Sequence, residues 1–290
     1  PTEIPDGIKK TANVLKKLRP AYATIIGFYE KIFEAQEKSA AETKVNPPQI
    51  SNDILSIKAK EKFPLISLSE FFVDINASRK LLKKICKIIN KSGNYMSSAA
   101  ETIFSATENN KLDFNELYTA LLNDDDASFS NIASKLKTRK DVLAFITYNS
   151  IKPSVSLYAQ SVSKYLDKDN PWGKGYCPVC GNLPIISTFE SDGERFLVCS
   201  FCWHKWTVTR LFCPFCENKE SETLHYLFSE EEKEYRVDVC DKCSKYIKNV
   251  DTRIIDRFVY PPLEQIATLH LDIMAKEKGF ESGAPLEFQV

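Results

Sequence analysis

Hydrophobic residues in the first 170 positions recur at intervals of three and four, the spacing of one face of an α-helix. The first such segment runs from Thr11 to about Glu37 and contains Pro20, which predicts two helices or a kink. Seven further helical segments are predicted, at residues 54–62, 77–90, 95–107, 114–123, 127–135, 140–148 and 155–166. The last two are separated by a predicted break that ends at Pro153. Strand-type alternation is not sustained anywhere here, so residues 1–170 are predicted to form an all-α domain.

The pattern changes after a polar junction, Lys168-Asp169-Asn170-Pro171-Trp172-Gly173. Short β-rich segments follow as two hairpins, at 183–189 with 195–198 and at 223–228 with 234–239. Helical spacing returns only at residues 263–278. The chain is therefore predicted to have an α+β fold, with helices first, two strand ribbons next and a C-terminal helix last.

Cysteines frame both hairpins. Eight of the nine lie in four Cys-x-x-Cys pairs within 67 residues, separated by 18, 10 and 23 residues. The pairs are Cys177 and Cys180, Cys199 and Cys202, Cys213 and Cys216, and Cys240 and Cys243. Two such turns together supply the four thiolates of a tetrahedral metal site, so two sites are predicted. The repeat of turn, hairpin and turn favours grouping the first four cysteines on one ion and the last four on another, although spacing alone leaves a cross-braced pairing open.

The same cysteines could form disulfides or redox-active dithiols. The N-terminus is polar and does not read as a secretory signal, which predicts a cytoplasmic, reducing location where stable disulfides are rare. No apolar run approaches the ~18 residues of a membrane span, so membrane insertion is not expected. Metal ligation is thus favoured. Four sulfurs suit zinc or iron equally, and they leave no open position for hydrolytic chemistry.

Other candidate residues carry less weight. Cys86 lies on the apolar face of a predicted helix and is interpreted as a packing residue. His204 follows a complete set of thiolates, His225 lies in a hairpin strand, and His270 is expected to make a structural hydrogen bond. These residues assemble no catalytic constellation and no cofactor-binding motif. The chain is therefore predicted not to be an enzyme.

The formal charge of zero hides two halves of opposite sign. Residues 1–170 hold 25 Lys and Arg against 20 Asp and Glu, and residues 171–290 hold 14 against 19. The acidic run Glu230-Glu231-Glu232 stands at one hairpin tip and is interpreted as a solvated turn. Ribbons that bind nucleic acid usually need a basic face, so nucleic acid is not an expected partner.

The cysteine half resembles the formate dehydrogenase accessory protein family, FdhE. The resemblance is carried by Cys177-Pro178-Val179-Cys180-Gly181 with Pro184, by the second pair with Trp206 and Arg210, by the third pair, by Cys240-Asp241-Lys242-Cys243 with Tyr246 and Lys248, and by Leu269, Leu271, Asp272 and Gly279. Two residues depart from the family's pattern. Thr207 stands where histidine is common, and Glu217 stands where a glycine would match the first turn.

This resemblance implies a helical domain joined to two rubredoxin-like ribbons, which corresponds to a division at residues 1–170, 171–212, 213–260 and 261–290. It also implies a cytoplasmic assembly factor that binds the catalytic subunit of a respiratory formate dehydrogenase. An iron protein that passes electrons to that subunit is one alternative, and a nucleic-acid-binding zinc ribbon is another. Whether the protein forms a homodimer stays open. Replacing Cys177 and Cys180 with Ala is expected to unfold the first ribbon and leave most helical signal intact.

Overall fold

The computed structural model of the chain describes residues 3–167 and 171–284, so the predicted junction at 168–170 lies outside the described residues. The helices are α1 (Glu3–Leu18), α2 (Ala23–Ala40), α3 (Asn52–Glu61), α4 (Ile75–Ser92), α5 (Ser97–Glu108), α6 (Phe114–Leu122), α7 (Asp126–Lys135), α8 (Lys140–Val162), α9 (Pro261–Ala267) and α10 (Leu269–Glu277). The strands are β1 (Pro184–Phe189), β2 (Arg195–Cys199), β3 (Lys205–Val208), β4 (Leu224–Phe228), β5 (Tyr235–Cys240), β6 (Lys245–Asp251) and β7 (Glu281–Ser282). The predicted α+β order is confirmed.

The N-terminal helical segment is divided at Pro20 into two helices, which is one of the two predicted alternatives. Helix α1 ends at Leu18, Pro20 opens a short 3₁₀ turn, and α2 follows. Helix α1 begins at Glu3, well before the predicted start at Thr11. The apolar faces of α2, α4 and α8 pack together around residues such as Ile26 and supply most of the helical core.

The predicted break before Pro153 is wrong, because α8 runs through it without interruption. A proline lacks the N–H that would bond to the carbonyl four residues earlier, here that of Asn149. The amide of Gln36 on α2 donates instead to the Asn149 carbonyl and to its side-chain oxygen, both at 3.0 Å. The neighbouring helix therefore satisfies the group that proline leaves unpaired, which local sequence could not indicate.

The two hairpins join into one sheet. Its strand order is β3-β2-β1-β6-β5-β4, with β7 paired to the end of β6. The two halves meet through parallel pairing of β1 with β6, where Ser187 lies opposite Asn249. Strands β3 and β6 were not predicted. Lys248 and Asn249 are buried in the middle of β6, and their polar character hides the strand pattern.

Two hydrophobic cores hold these elements. The larger one contains the helical residues together with Cys177, Cys180, Cys199 and Cys202, so the helices and the first cysteine turns share one interior. The smaller one lies between the sheet and α10, where Leu271 and Ala275 pack on strand residues. The predicted C-terminal helix at 263–278 is two helices, with Thr268 between them in a non-helical conformation. None of the helices in residues 3–167 and 171–284 combines the length and the apolarity needed to span a bilayer.

Candidate metal centres

The first four cysteines converge at one point, which we call the first centre. Cys180 Sγ lies 3.5 Å from Cys199 Sγ and 3.6 Å from Cys202 Sγ, and Cys177 Sγ lies 3.7 Å from Cys202 Sγ. All four residues are buried, with between 0% and 6% of their surface exposed. The β1–β2 hairpin brings the second turn back beside the first, as the repeat predicted.

The last four cysteines form the second centre in the same way. Cys213 Sγ lies 3.6 Å from Cys243 Sγ, and Cys216 Sγ lies 3.7 Å from Cys240 Sγ. Within each centre, all four sulfurs lie within 4.8 Å of one another. The grouping is the sequential one favoured by the sequence, and cross-bracing is absent from the two clusters that the described residues form.

The separations suit a tetrahedral ion. A zinc–sulfur bond of about 2.3 Å places tetrahedral sulfurs about 3.8 Å apart. The observed 3.5–3.7 Å lies close to that value. A disulfide would need about 2.05 Å, and all nine cysteines are free. Each centre could therefore hold a metal ion through sulfur alone, with zinc and iron equally compatible.

The turns that carry the sulfurs share one backbone form. The residue after the second cysteine has a positive φ in all four, at +80° for Gly181, +59° for Trp203, +60° for Glu217 and +55° for Ser244. Glycine takes this conformation freely, but a large side chain such as tryptophan rarely does. Glu217 therefore has the same backbone conformation as Gly181, although it stands where a glycine would match the first turn. Its carboxylate bonds Lys174 at 2.9 Å, an ion pair that helps to hold the third turn in place.

Two asparagines hold equivalent places in the turns and were not predicted. In the first and third turns, the N–H of the leading cysteine donates to the carbonyl of Asn182 at 2.8 Å and of Asn218 at 2.9 Å. Their side-chain amides point back to sulfur: Asn182 lies 3.7 Å from Cys180 Sγ, and Asn218 lies 3.6 Å from Cys240 Sγ. The repeated string Cys-Pro-x-Cys-x-Asn in the sequence could have revealed this pair.

The first centre has a buried cation beside it that sequence reasoning also missed. Lys152 on α8 is 1% exposed, and its Nζ donates to the Tyr148 hydroxyl at 2.7 Å and to the Phe201 carbonyl. The same Nζ lies 4.0 Å from the centre of the Trp203 ring. Burial lowers the pKa of Lys152 to about 7, while the sulfurs of the first centre act in the opposite direction. Burial also raises the pKa of the Cys177 thiol.

The two sulfur clusters include none of the remaining candidates. Cys86 is fully buried in α4 and belongs to the helical core, and burial raises the pKa of its thiol. The backbone carbonyl of His204 accepts from Cys199, and His225 pairs with Asp241 at 2.9 Å on the surface. His270 makes the predicted structural contact, at 2.7 Å from Glu232.

Glu232 itself is not a simple solvated turn residue. Its second oxygen lies 2.9 Å from Arg19, between α1 and α2. The His270 ring also stacks on Tyr22 at 6.1 Å. Through these contacts the hairpin tip of β4 and β5 ties the N-terminal helices to α10.

Comparison with known proteins identifies the segment that carries both centres. Residues 176–210 match the model of the FdhE central domain, and residues 211–288 match that of the FdhE C-terminal domain. A protein FdhE homolog of Aquifex aeolicus is 29% identical over 274 residues, which cover 92% of this chain and 89% of the relative. A homolog of Haemophilus influenzae (strain PittGG) is 30% identical over 162 residues and 53% of each chain.

The fold is similar to that of an FdhE protein over nearly the whole chain. The crystal structure of the FdhE protein from Pseudomonas aeruginosa superposes with a TM-score of 0.66 and covers 99% of this chain and 96% of that one, at 16% identity. Both domain models are matched in order. The helical region, which they do not cover, shares the fold of the crystal structure. On these findings, residues 176–288 match the FdhE central and C-terminal domains, and the chain is similar to an FdhE homolog over nearly its whole length.

Proposed function

We propose that this chain is a non-catalytic accessory protein that binds the catalytic subunit of a respiratory formate dehydrogenase during its maturation. The observation that carries the proposal is the assembly of eight cysteines into two all-sulfur clusters, within the segment that matches the FdhE domain models. The similarity to FdhE proteins supports the accessory role. We further propose that the client, meaning the protein that is bound, is the catalytic subunit.

The eight cysteines are proposed as the metal ligands, four to each ion. A divalent ion with four thiolates is coordinatively saturated, so it offers no position for a substrate or an activated water. Such a site stabilises the turns that enclose it, because ion binding and local folding are coupled. The ions would therefore shape the surface that a partner protein contacts.

The arrangement of the molecule supports partner binding over turnover. The helical region carries the positive half of the charge and the cysteine region the negative half. A surface of either sign can steer association with a partner of opposite charge. In keeping with the sequence prediction, we place the helical domain at residues 1–170 and the two ribbons at 171–212 and 213–260.

Affinity capture tests the client. The tagged full chain, expressed in its native host under anaerobic conditions, should retain a formate dehydrogenase catalytic subunit that mass spectrometry identifies. Capture with a tagged unrelated zinc-ribbon protein is the control. Failure to retain that subunit from cells that contain it would contradict the assignment of the client.

Elemental analysis of the purified protein tests the ligand assignment and distinguishes the two metals. Two ions per chain are expected, one for each cluster. Visible absorption separates a colourless zinc protein from an iron protein with a redox-active centre. A chain that binds no ion with intact, reduced cysteines would contradict the assignment of all eight ligands.

A further inference from the structure

The two centres are enclosed to very different degrees. All four cysteines of the first centre are buried within the large core. In the second centre, Cys213 and Cys240 are buried, Cys243 is partly covered and Cys216 is exposed. Among the described residues, neither hydrophobic core includes a cysteine of the second centre. An ion at the second centre is therefore the one that solutes can approach.

The helical region supplies the cover of the first centre. The extended segment after α3 pairs with the first cysteine turn, where the N–H groups of Leu65 and Ile66 donate to the carbonyls of Pro178 and Val179 at 2.9 Å. On the other side, Lys152 holds the carbonyl of the second turn. Both turns are thus held by segments of the helical region, and removing a sulfur would require these contacts to open.

Two segments that contain glycine pack against the third turn, which belongs to the second centre. Gly175 lies so close to the third turn that a Cβ there would stand 1.8 Å from the Pro214 carbonyl oxygen. Gly283 makes a similar approach to the Phe215 ring, which a Cβ would meet at 2.2 Å. These contacts pack against the turn, but they leave Cys216 exposed to solvent.

Building on the proposed ligand assignment, we propose that the second centre is the site at which this protein exchanges its ion, and that the incoming ligand is a thiol that displaces Cys216. In this step the bond between the ion and Cys216 Sγ breaks as a bond to the incoming sulfur forms. The proton of the incoming thiol passes to Cys216, so the ion keeps four thiolates and its oxidation state. A low-molecular-weight thiol such as glutathione represents this ligand class.

Release kinetics on the zinc-loaded full chain test the proposal. Glutathione is added with excess chelator, zinc release is followed by a chromogenic indicator, and iodoacetamide labelling at each time is located by mass spectrometry. One ion is expected to leave at least ten times faster than the other, with Cys216 labelled in the fast phase. Release of both ions at one rate, or earlier labelling of Cys180 than of Cys216, would overturn the proposal.

The two equivalent asparagines provide matched variants. Asn218→Ala removes the amide beside Cys240 at the second centre, and Asn182→Ala removes its counterpart at the first. Asn218→Ala should speed the fast phase severalfold, while Asn182→Ala should leave that phase unchanged. The reverse pattern would assign the fast phase to the first centre and defeat the proposal.

These outcomes separate the inference from the function on which it rests. A chain that binds two ions and releases them together contradicts the exchange site alone. A chain that binds no ion contradicts the ligand assignment and the exchange site together. The client is unaffected by either result, because it is tested by affinity capture.

Discussion

At the scale of single residues, Lys152 is the side chain whose environment most needs explanation. It is a fully buried lysine whose polar contacts are a hydroxyl, a carbonyl and an aromatic face. Isolated buried charges are costly, so such a group is usually compensated nearby. A divalent ion with four thiolates carries a net negative charge, and the first centre therefore gives Lys152 a counter-charge.

Lys152→Met should consequently have different effects on stability in the two metal states. In the zinc-loaded protein it should lower the free energy of unfolding by about 1–3 kcal/mol, because charge-assisted contacts are lost. Without the ion the same change should be neutral or stabilising, because a buried charge is removed. Chemical denaturation of both forms measures the difference. Equal effects in the two states would contradict the pairing of this lysine with the first centre.

At the scale of elements, α8 depends on α2 for its continuity. The proline inside α8 leaves the Asn149 carbonyl without its helical partner, and Gln36 supplies one. A buried carbonyl without a donor costs about 1–3 kcal/mol. The continuity of α8 therefore depends on the helix pair and not on the helix alone.

A double-mutant cycle tests this account. Gln36→Ala should lower the free energy of unfolding by about 1–3 kcal/mol. Pro153→Ala restores an N–H that can bond to the Asn149 carbonyl, so Gln36→Ala should cost less in that background. Urea denaturation of the four proteins gives the coupling energy. Strict additivity would show that Gln36 does not compensate for the proline.

A buried lysine also joins β6 to the C-terminal helices. Lys248 donates to the Gln265 carbonyl at the end of α9 and to Asp272 on α10, both at 2.7 Å. Tyr246 donates to the other oxygen of Asp272 at 2.8 Å. Cations at helix C-termini complement the helix dipole, so Lys248 fixes the break between the two helices on the sheet.

The pH dependence of stability should report on Lys248. Burial lowers its pKa to about 8, whereas the pKa of a lysine in the unfolded chain is about 10.4. Between these values the unfolded chain holds a proton that the folded chain has lost, so this group's contribution to stability rises with pH and is constant below about 8. Lys248→Met should reduce the rise in stability that urea denaturation measures from pH 8 to 10, and the part that is left includes the contribution of Lys152. Lys276→Met, at an exposed position on α10, should keep the whole rise.

At the scale of the whole molecule, the first centre is part of the helical core. Its cysteines pack with residues of α2, α4 and α8 in one cluster. The sequence alone suggested that loss of this centre would unfold only a ribbon. The shared core changes that expectation, because opening the first centre exposes helical residues as well.

Two cysteines at equivalent turn positions test the difference. Cys180→Ser should lower the free energy of unfolding by at least about 3 kcal/mol. It should also lower the melting temperature that the helical circular dichroism signal reports. Cys216→Ser, at the exposed position, should cost about 1 kcal/mol or less and leave that melting nearly unchanged. Equal losses of helical signal would contradict the unequal integration of the two centres.

The sequence by itself determined the helical half and the four cysteine turns, and it favoured their sequential grouping. Each depends on local spacing: helical periodicity places Cys86 on an apolar face, and short hairpins bring Cys199 back to Cys177. Only the tertiary structure decided that β1 and β6 join the ribbons, that α8 passes through Pro153 and that Lys152 lies under one centre. Those features come from partners distant in the chain. The two centres have the same ligand set but are enclosed unequally, because different residues pack against each. The spacing of the cysteines does not predict those packing residues.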